Sequence, residues 1–199
     1  MIDLFKEVSE FAKLEISESI KLPIAIVGAG GIVDGAHLLA YKKAGLEIVG
    51  ITDVDQDRAK DVASRHDIST VYPDLSTMLR DSKAKVIDIA VPPAVQRDVF
   101  IEVAKSGRHI LAQKPLATTV AEGELIIKAA NESGIIAGVN QQLRFEEGIA
   151  AAYKMVDLGW VGKVTSISIT VNLATPWEMF PWAKNMEKLE IMVHSIDYH

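Results

Sequence analysis

Two rhythms of apolar residues alternate along the first 140 positions of the chain. Short unbroken runs, of which Ile24-Ala25-Ile26-Val27 is the clearest, are the pattern of strands buried on both faces of a parallel sheet. Between them, apolar residues recur every three or four positions among charges, as on one face of a helix. The runs predict strands over 24–27, 46–52, 71–72, 86–91, 109–112 and 135–139. The periodic stretches predict an amphipathic helix over 3–15 and a helix passing through His37 to Gly45. Further helices are expected over 56–66 behind Asp55, over 95–106 up to Gly107, and over 120–133 behind Thr119. Asp55 and Thr119 are expected N-caps, and a glycine after the last helical residue suits a left-handed helix end. Strands that alternate with helices of this length imply right-handed crossovers and a doubly wound α/β sheet.

The rhythm changes after Asn140. A helix around 147–158 leads into 163–171, where apolar and polar residues alternate as in a strand with one wet face. The expected organisation is a helical extension over 1–21, a doubly wound domain over 22–143, and from 144 the opening of a second, α+β sheet domain that 199 residues are too few to finish.

Composition narrows the function. With 49% hydrophobic and 24% charged residues, and a mean hydropathy of +0.18, the chain has enough apolar material for a core. Its net charge is −6 and it has no basic run, which speaks against nucleic acid and against an acidic membrane surface as partners. With no cysteine there is neither a disulfide nor a thiol nucleophile. The first residues lack the apolar stretch of a secretory leader. A cytoplasmic protein with a small-molecule ligand is expected, and no metal site.

The chemistry starts at Gly28-Ala29-Gly30-Gly31-Ile32, between the first strand and the helix that follows. A first glycine there permits the turn, a second lets backbone approach a pyrophosphate, and the helix start presents N–H groups to it. Val33 takes the place of the third glycine, which predicts a slightly wider helix–strand contact. Asp53, about 20 residues further on at the end of the second strand, is where an acid binds the adenosine ribose of a Rossmann-bound dinucleotide. An acid there repels a 2′-phosphate, and no arginine follows it directly, so NAD is expected over NADP. S-adenosylmethionine in a methyltransferase is the competing cofactor. Pro92-Pro93, Gln113-Lys114-Pro115 and Asn140-Gln141 close the fourth, fifth and sixth strands, on the carboxyl edge where doubly wound sheets bind ligands. Proline restrains the backbone of Lys114 before it, so this lysine can be aimed.

Together the segments 28–32 with His37 downstream, 52–55, Val91-Pro92-Pro93, 107–117 and Arg144-Phe145 resemble the glucose–fructose oxidoreductase / inositol dehydrogenase / MocA family over roughly 22–199. The resemblance implies hydride transfer between a nicotinamide and a hydroxyl-bearing carbon of a sugar, cyclitol or related polyol. It implies that Lys114 is catalytic, and that His194 and Asp197, in a His-x-x-Asp pattern near the end of the chain, assist it. Gly28, Ala29, Gly30, Gly31, Ile32, Asp53, Val91, Pro92, Pro93, Gln113, Lys114 and Asn140 would line the cofactor site. Family members are roughly twice as long, with a large second-domain sheet for substrate binding and homo-oligomer contacts. Their Glu-Lys-Pro is here Gln113-Lys114-Pro115, which removes a charge beside the lysine. A non-catalytic NAD(H)-binding sensor or scaffold is the alternative that this substitution favours. Trp160, Trp177 and Trp182 read as core or covering residues, His66 and His109 as structural, and Asp55, Asp57, Arg58, Lys60 and Asp61 as a solvated helix face.

Overall fold

The structure, a computed structural model, describes residues 2–13 and 16–170. Its helices and strands follow the expected order with one helix added, α4: α1 Ile2–Ala12, β1 Ile24–Val27, α2 Leu38–Ala44, β2 Ile48–Thr52, α3 Gln56–Arg65, α4 Leu75–Asp81, β3 Val86–Ile89, α5 Pro93–Lys105, β4 His109–Gln113, α6 Val120–Ser133, β5 Ala137–Asn140 and α7 Glu147–Asp157. The five strands form one sheet in the order β2-β1-β3-β4-β5, and every pairing is parallel. The expected strand at 71–72 shrinks to a single bridge between Val71 and Ile51 on the outer side of β2, because Pro73 follows at once and has no N–H for a ladder. Counting that bridge, the strand segments run 3-2-1-4-5-6, the order of a Rossmann sheet.

β1 is buried throughout, β2, β3 and β4 are buried or half-buried along their length, and β5 starts exposed at Ala137 and Gly138. Ala25, Val27, Ile87, Ile89, Ile110 and Ala112 point to one side, against Met78 of α4, Phe100, Val103 and Ala104 of α5 and Ile126 of α6. Ile24, Ile26 and Ile51 point to the other side, against Val33, Leu38 and the α3 residues Ala59, Val62 and Ala63. Period-two alternation thus gives two apolar layers from unbroken apolar runs. Asp55 caps α3 by accepting the Arg58 N–H, and Thr119 caps α6 by accepting the Glu122 N–H, as expected. Gly45 ends α2 with φ +65°. α4 has no counterpart in the sequence reading: Asp74 caps it, and one of its apolar residues, Met78, is fully buried.

The expected strand over 163–171 is not there. Residues 164–170 are irregular and Ile167 and Ile169 are 78% and 77% exposed. Alternation gives a strand only where another strand accepts its ladder, and none lies beside it among the described residues.

Two compact units emerge, one of residues 17–140 and a second that includes 2–13 and 141–170. In the second, α1 lies against α7, with Phe5 edge-on to Trp160 at 5.3 Å between ring centres and Phe11 stacked on Tyr153. Trp160 is thus a covering residue, as expected; Trp177 and Trp182 lie outside the described residues. No described helix is long and apolar enough to cross a membrane.

Phe100 is 1% exposed at the centre of the larger apolar layer. Phe100→Ala should cost about 3–5 kcal/mol, read as a lower urea midpoint with the slope unchanged.

Candidate functional site

Parallel pairing sets the site before any side chain does. Val27 lies opposite both Thr52 and Ile89, Ile89 opposite Ala112, and Gln113 opposite Asn140. The residues that leave these strand ends are Gly28, Asp53, Val91, Lys114 and Asn140 itself, so five of the expected positions share one sheet edge.

Gly28 turns the chain there with φ +105°, a conformation that side chains disfavour. A Cβ on it would stand 2.2 Å from the Ala90 carbonyl oxygen, so β1 and β3 meet only over a glycine. The Gly28 N–H donates to the Thr52 carbonyl (2.8 Å) and the Ala29 N–H to Asp53 Oδ2 (2.6 Å). At Gly30, by contrast, a Cβ would meet nothing within 4 Å. Its backbone faces open space, as a loop that receives a pyrophosphate must. Val33 is fully buried, and the helix opens at this residue into a π turn, Val33–His37.

Asp53 is already engaged within the fold. Its Oδ1 accepts the Asp55 N–H (2.8 Å) and the Arg58 guanidinium (2.8 Å). The Asp53 carboxylate, the nearest and strongest partner, holds Arg58 above its ordinary pKa. Arg58 is therefore not merely part of a solvated face: five positions past the acid, α3 brings it back. A carboxylate oxygen has about two acceptor directions. Oδ1 has both engaged and Oδ2 keeps one, enough for a ribose hydroxyl, and a second requires Arg58 to move aside. The residues fit the adenosine half of a dinucleotide.

The Lys114 turn is built from below. Lys114-Pro115 is a cis peptide. Gln96, on α5 and 1% exposed, points its amide nitrogen at the carbonyls of Gln113 (2.9 Å), Pro115 (2.8 Å) and Leu116 (3.0 Å). Two N–H groups serve three acceptors, so one side chain of α5 holds three carbonyls of the turn. The Gln113 Oε1 accepts the Lys114 N–H at 2.9 Å. A neutral amide oxygen thereby does for the backbone what a carboxylate would, without the charge.

A buried polar cluster sits on the same side of the sheet as the glycine-loop helix. Asp88 in the middle of β3 is completely buried, flanked by Ile26 and Leu111 on the neighbouring strands. Its Oδ2 meets His37 Nδ1 at 2.7 Å and accepts the Tyr41 hydroxyl at 2.9 Å. His37 Nε2 lies 3.3 Å from the Asn140 side-chain nitrogen. Burial first, then the adjacent Asp88 carboxylate, pushes the Tyr41 phenol above its ordinary pKa. Asp88 Oδ1 is buried without a hydrogen-bond partner. The sequence signal for this cluster is an acid inside an apolar run, with His37 and Tyr41 one helical turn apart.

His194 and Asp197 lie outside the described residues. No cluster of metal-ligating side chains occurs among the described residues.

A glycine loop, an acid at the end of the second strand and a parallel sheet in this order are the pattern of a dinucleotide-binding domain. Residues 22–141 match the oxidoreductase family with an NAD-binding Rossmann fold, the glucose–fructose oxidoreductase / inositol dehydrogenase / MocA family, and the chain belongs to it. Membership removes the methyltransferase alternative. Levoglucosan dehydrogenase of Pseudarthrobacter phenanthrenivorans is 27% identical over 154 residues, 73% of this chain and 39% of that enzyme. scyllo-Inositol 2-dehydrogenase (NAD(+)) of Bacillus subtilis is 29% identical over 140 residues, 70% of this chain and 41% of its own. Among solved structures, the WlbA dehydrogenase from Bordetella pertussis, in complex with NADH and UDP-GlcNAcA, superimposes with a TM-score of 0.64 at 27% identity, over 72% of this chain and 44% of that one. The chain spans about half or less of the length of such curated relatives.

Two glycine variants separate packing from binding. Gly28→Ala should destabilise the domain by about 2 kcal/mol or more, since both φ and space are wrong for a Cβ. Gly30→Ala should leave the unfolding free energy from urea titration within about 0.5 kcal/mol of the parent, because the backbone there is open, yet weaken NADH in a fluorescence titration.

Proposed function

We propose that the protein is, or is part of, an NAD-dependent oxidoreductase acting on a CH–OH group of a sugar, cyclitol or related polyol. The observation that carries this reading is the convergence of the glycine loop, Asp53, the clamped Lys114 turn and Asn140 on one edge of the sheet. Levoglucosan dehydrogenase and the inositol dehydrogenases among the relatives support the substrate class.

In this reading the loop 28–32 receives the pyrophosphate and Asp53 a ribose hydroxyl, while Val91, Pro92, Pro93, Gln113 and Asn140 bound the nicotinamide side. Bound NAD supplies the carbon that takes the hydride. Lys114 hydrogen-bonds the substrate oxygen and steers its proton away as the C–H bond breaks, and the sequence pair His194 and Asp197 supplies the acid–base partner. The second domain would add substrate contacts and the surface of a homo-oligomer. Cytoplasmic location and a domain boundary near 143 belong to the same proposal.

Arg58 adjusts the cofactor expectation. A guanidinium already paired with Asp53 offsets the charge that would repel a 2′-phosphate. NADH should bind more tightly than NADPH in parallel fluorescence titrations, and Asp53→Ser should narrow or invert the ratio by freeing Arg58 for the phosphate. A ratio unchanged by Asp53→Ser would show that this acid does not select the cofactor.

For the chemistry, Lys114→Ala in the full-length protein should bind NADH like the parent and lose on the order of 100-fold or more in turnover of a polyol panel, the usual size of a positioned proton-transfer group. Parent-like turnover in that variant would refute the role of Lys114. NADH binding with no turnover of any polyol by the parent would favour the sensor reading.

A further inference from the structure

Asp88 and Tyr41 lie a layer beneath the sheet edge, and nothing in the proposed chemistry uses them. Their placement nonetheless has a directional consequence. Asp88 Oδ2 is an acceptor that already takes the Tyr41 O–H. A carboxylate oxygen has only lone pairs to offer, so the His37 nitrogen 2.7 Å away must bring the hydrogen: Nδ1 is the N–H. In a neutral imidazole the other nitrogen is then an acceptor. His37 Nε2 therefore takes an N–H from Asn140, whose Nδ2 lies 3.3 Å from it. An amide that gives its NH2 to the interior turns its oxygen the other way.

We propose that the buried chain Tyr41–Asp88–His37 is a positioning device that fixes the rotamer of the Asn140 amide, so that Asn140 offers the sheet edge a carbonyl oxygen and never an NH2 group. The group that matches such an acceptor, in the cofactor reading on which this rests, is the carboxamide N–H of the nicotinamide. His37, Asp88 and Tyr41 act through Asn140 and touch neither cofactor nor substrate.

The arrangement is costly, which argues against a packing role alone. Asp88 is 0% and His37 6% exposed, and Asp88 Oδ1 has no partner, whereas a leucine in β3 would complete an apolar layer. Half-satisfied buried acids lower stability and persist where a site requires them. His37 is also the last residue of the π turn, a local departure from α-helical winding that is over-represented at functional positions.

The test compares NADH with reduced 3-acetylpyridine adenine dinucleotide, in which a methyl replaces the carboxamide NH2, by calorimetric titration of this chain. The parent should prefer NADH. Asn140→Ala, at a half-buried surface position, should lose roughly five- to tenfold in NADH affinity, the worth of about one hydrogen bond, and leave the analogue unchanged. His37→Phe should reproduce the same selective loss, and adding Asn140→Ala to it should cost nothing more. Equal weakening of both ligands by His37→Phe, or no change in their ratio, would overturn the proposal. Should His37→Phe fail to fold, the parent itself decides by 15N NMR: a proton on His37 Nδ1 with Nε2 bare supports the device, and a proton on Nε2 overturns it. A parent that binds neither dinucleotide refutes the cofactor reading, an outcome distinct from binding without selectivity.

Discussion

Every strand in this sheet runs the same way, and the rest of the molecule follows from that constraint. Backbone N–H and C=O groups of a buried strand must be paired on both sides, and parallel pairing commits each chain reversal to a helix laid over a face. The crossovers then return every strand to the same starting edge. Each strand exit, from Gly28 to Asn140, consequently opens on the opposite edge, whatever its side chains are. The close approach of β1 to β3 tightens that edge further, since the Ala90 carbonyl occupies the space where any side chain at position 28 would begin.

Against this apolar frame the polar side chains divide by cost. The exposed pairs on the helices, such as Arg80 with Asp81 and Lys128 with Glu132, gain little because water screens them. The buried ones, Gln96 under the Lys114 turn and Asp88 with His37 and Tyr41 beneath Asn140, are expensive to place and correspondingly specific. Both lead from the interior to the carboxyl edge.

Much of the fold was legible because burial on two faces leaves unbroken apolar runs, and those runs located all five strands and the loop at their exit. Residues 163–171 misled for the converse reason: alternation records a tendency to pair, and pairing needs a neighbour that no local pattern reports. α4 went unread because its seven residues give too short a period to see. In the site, Gly28, Asp53, Lys114 and Asn140 announced themselves by position at strand ends. Arg58 did not, since its return to Asp53 depends on how α3 leaves its cap. Gln96 was hidden among residues whose spacing spoke only of core, and Asp88 showed only as an acid out of place. An acid within 86–91 was the one visible irregularity.

The Gln96 clamp grips main-chain oxygens, and the side chains of residues 113–116 play no part in it. What the turn asks of its own residues is little: a side-chain oxygen at 113 to accept the Lys114 N–H, and the proline at 115. Exchanging an acid for Gln113 alters the charge beside the lysine and leaves the path of the backbone as it was. Shape and reactivity at this point of the molecule can therefore evolve separately, one inherited through α5 and the other free to vary along the turn.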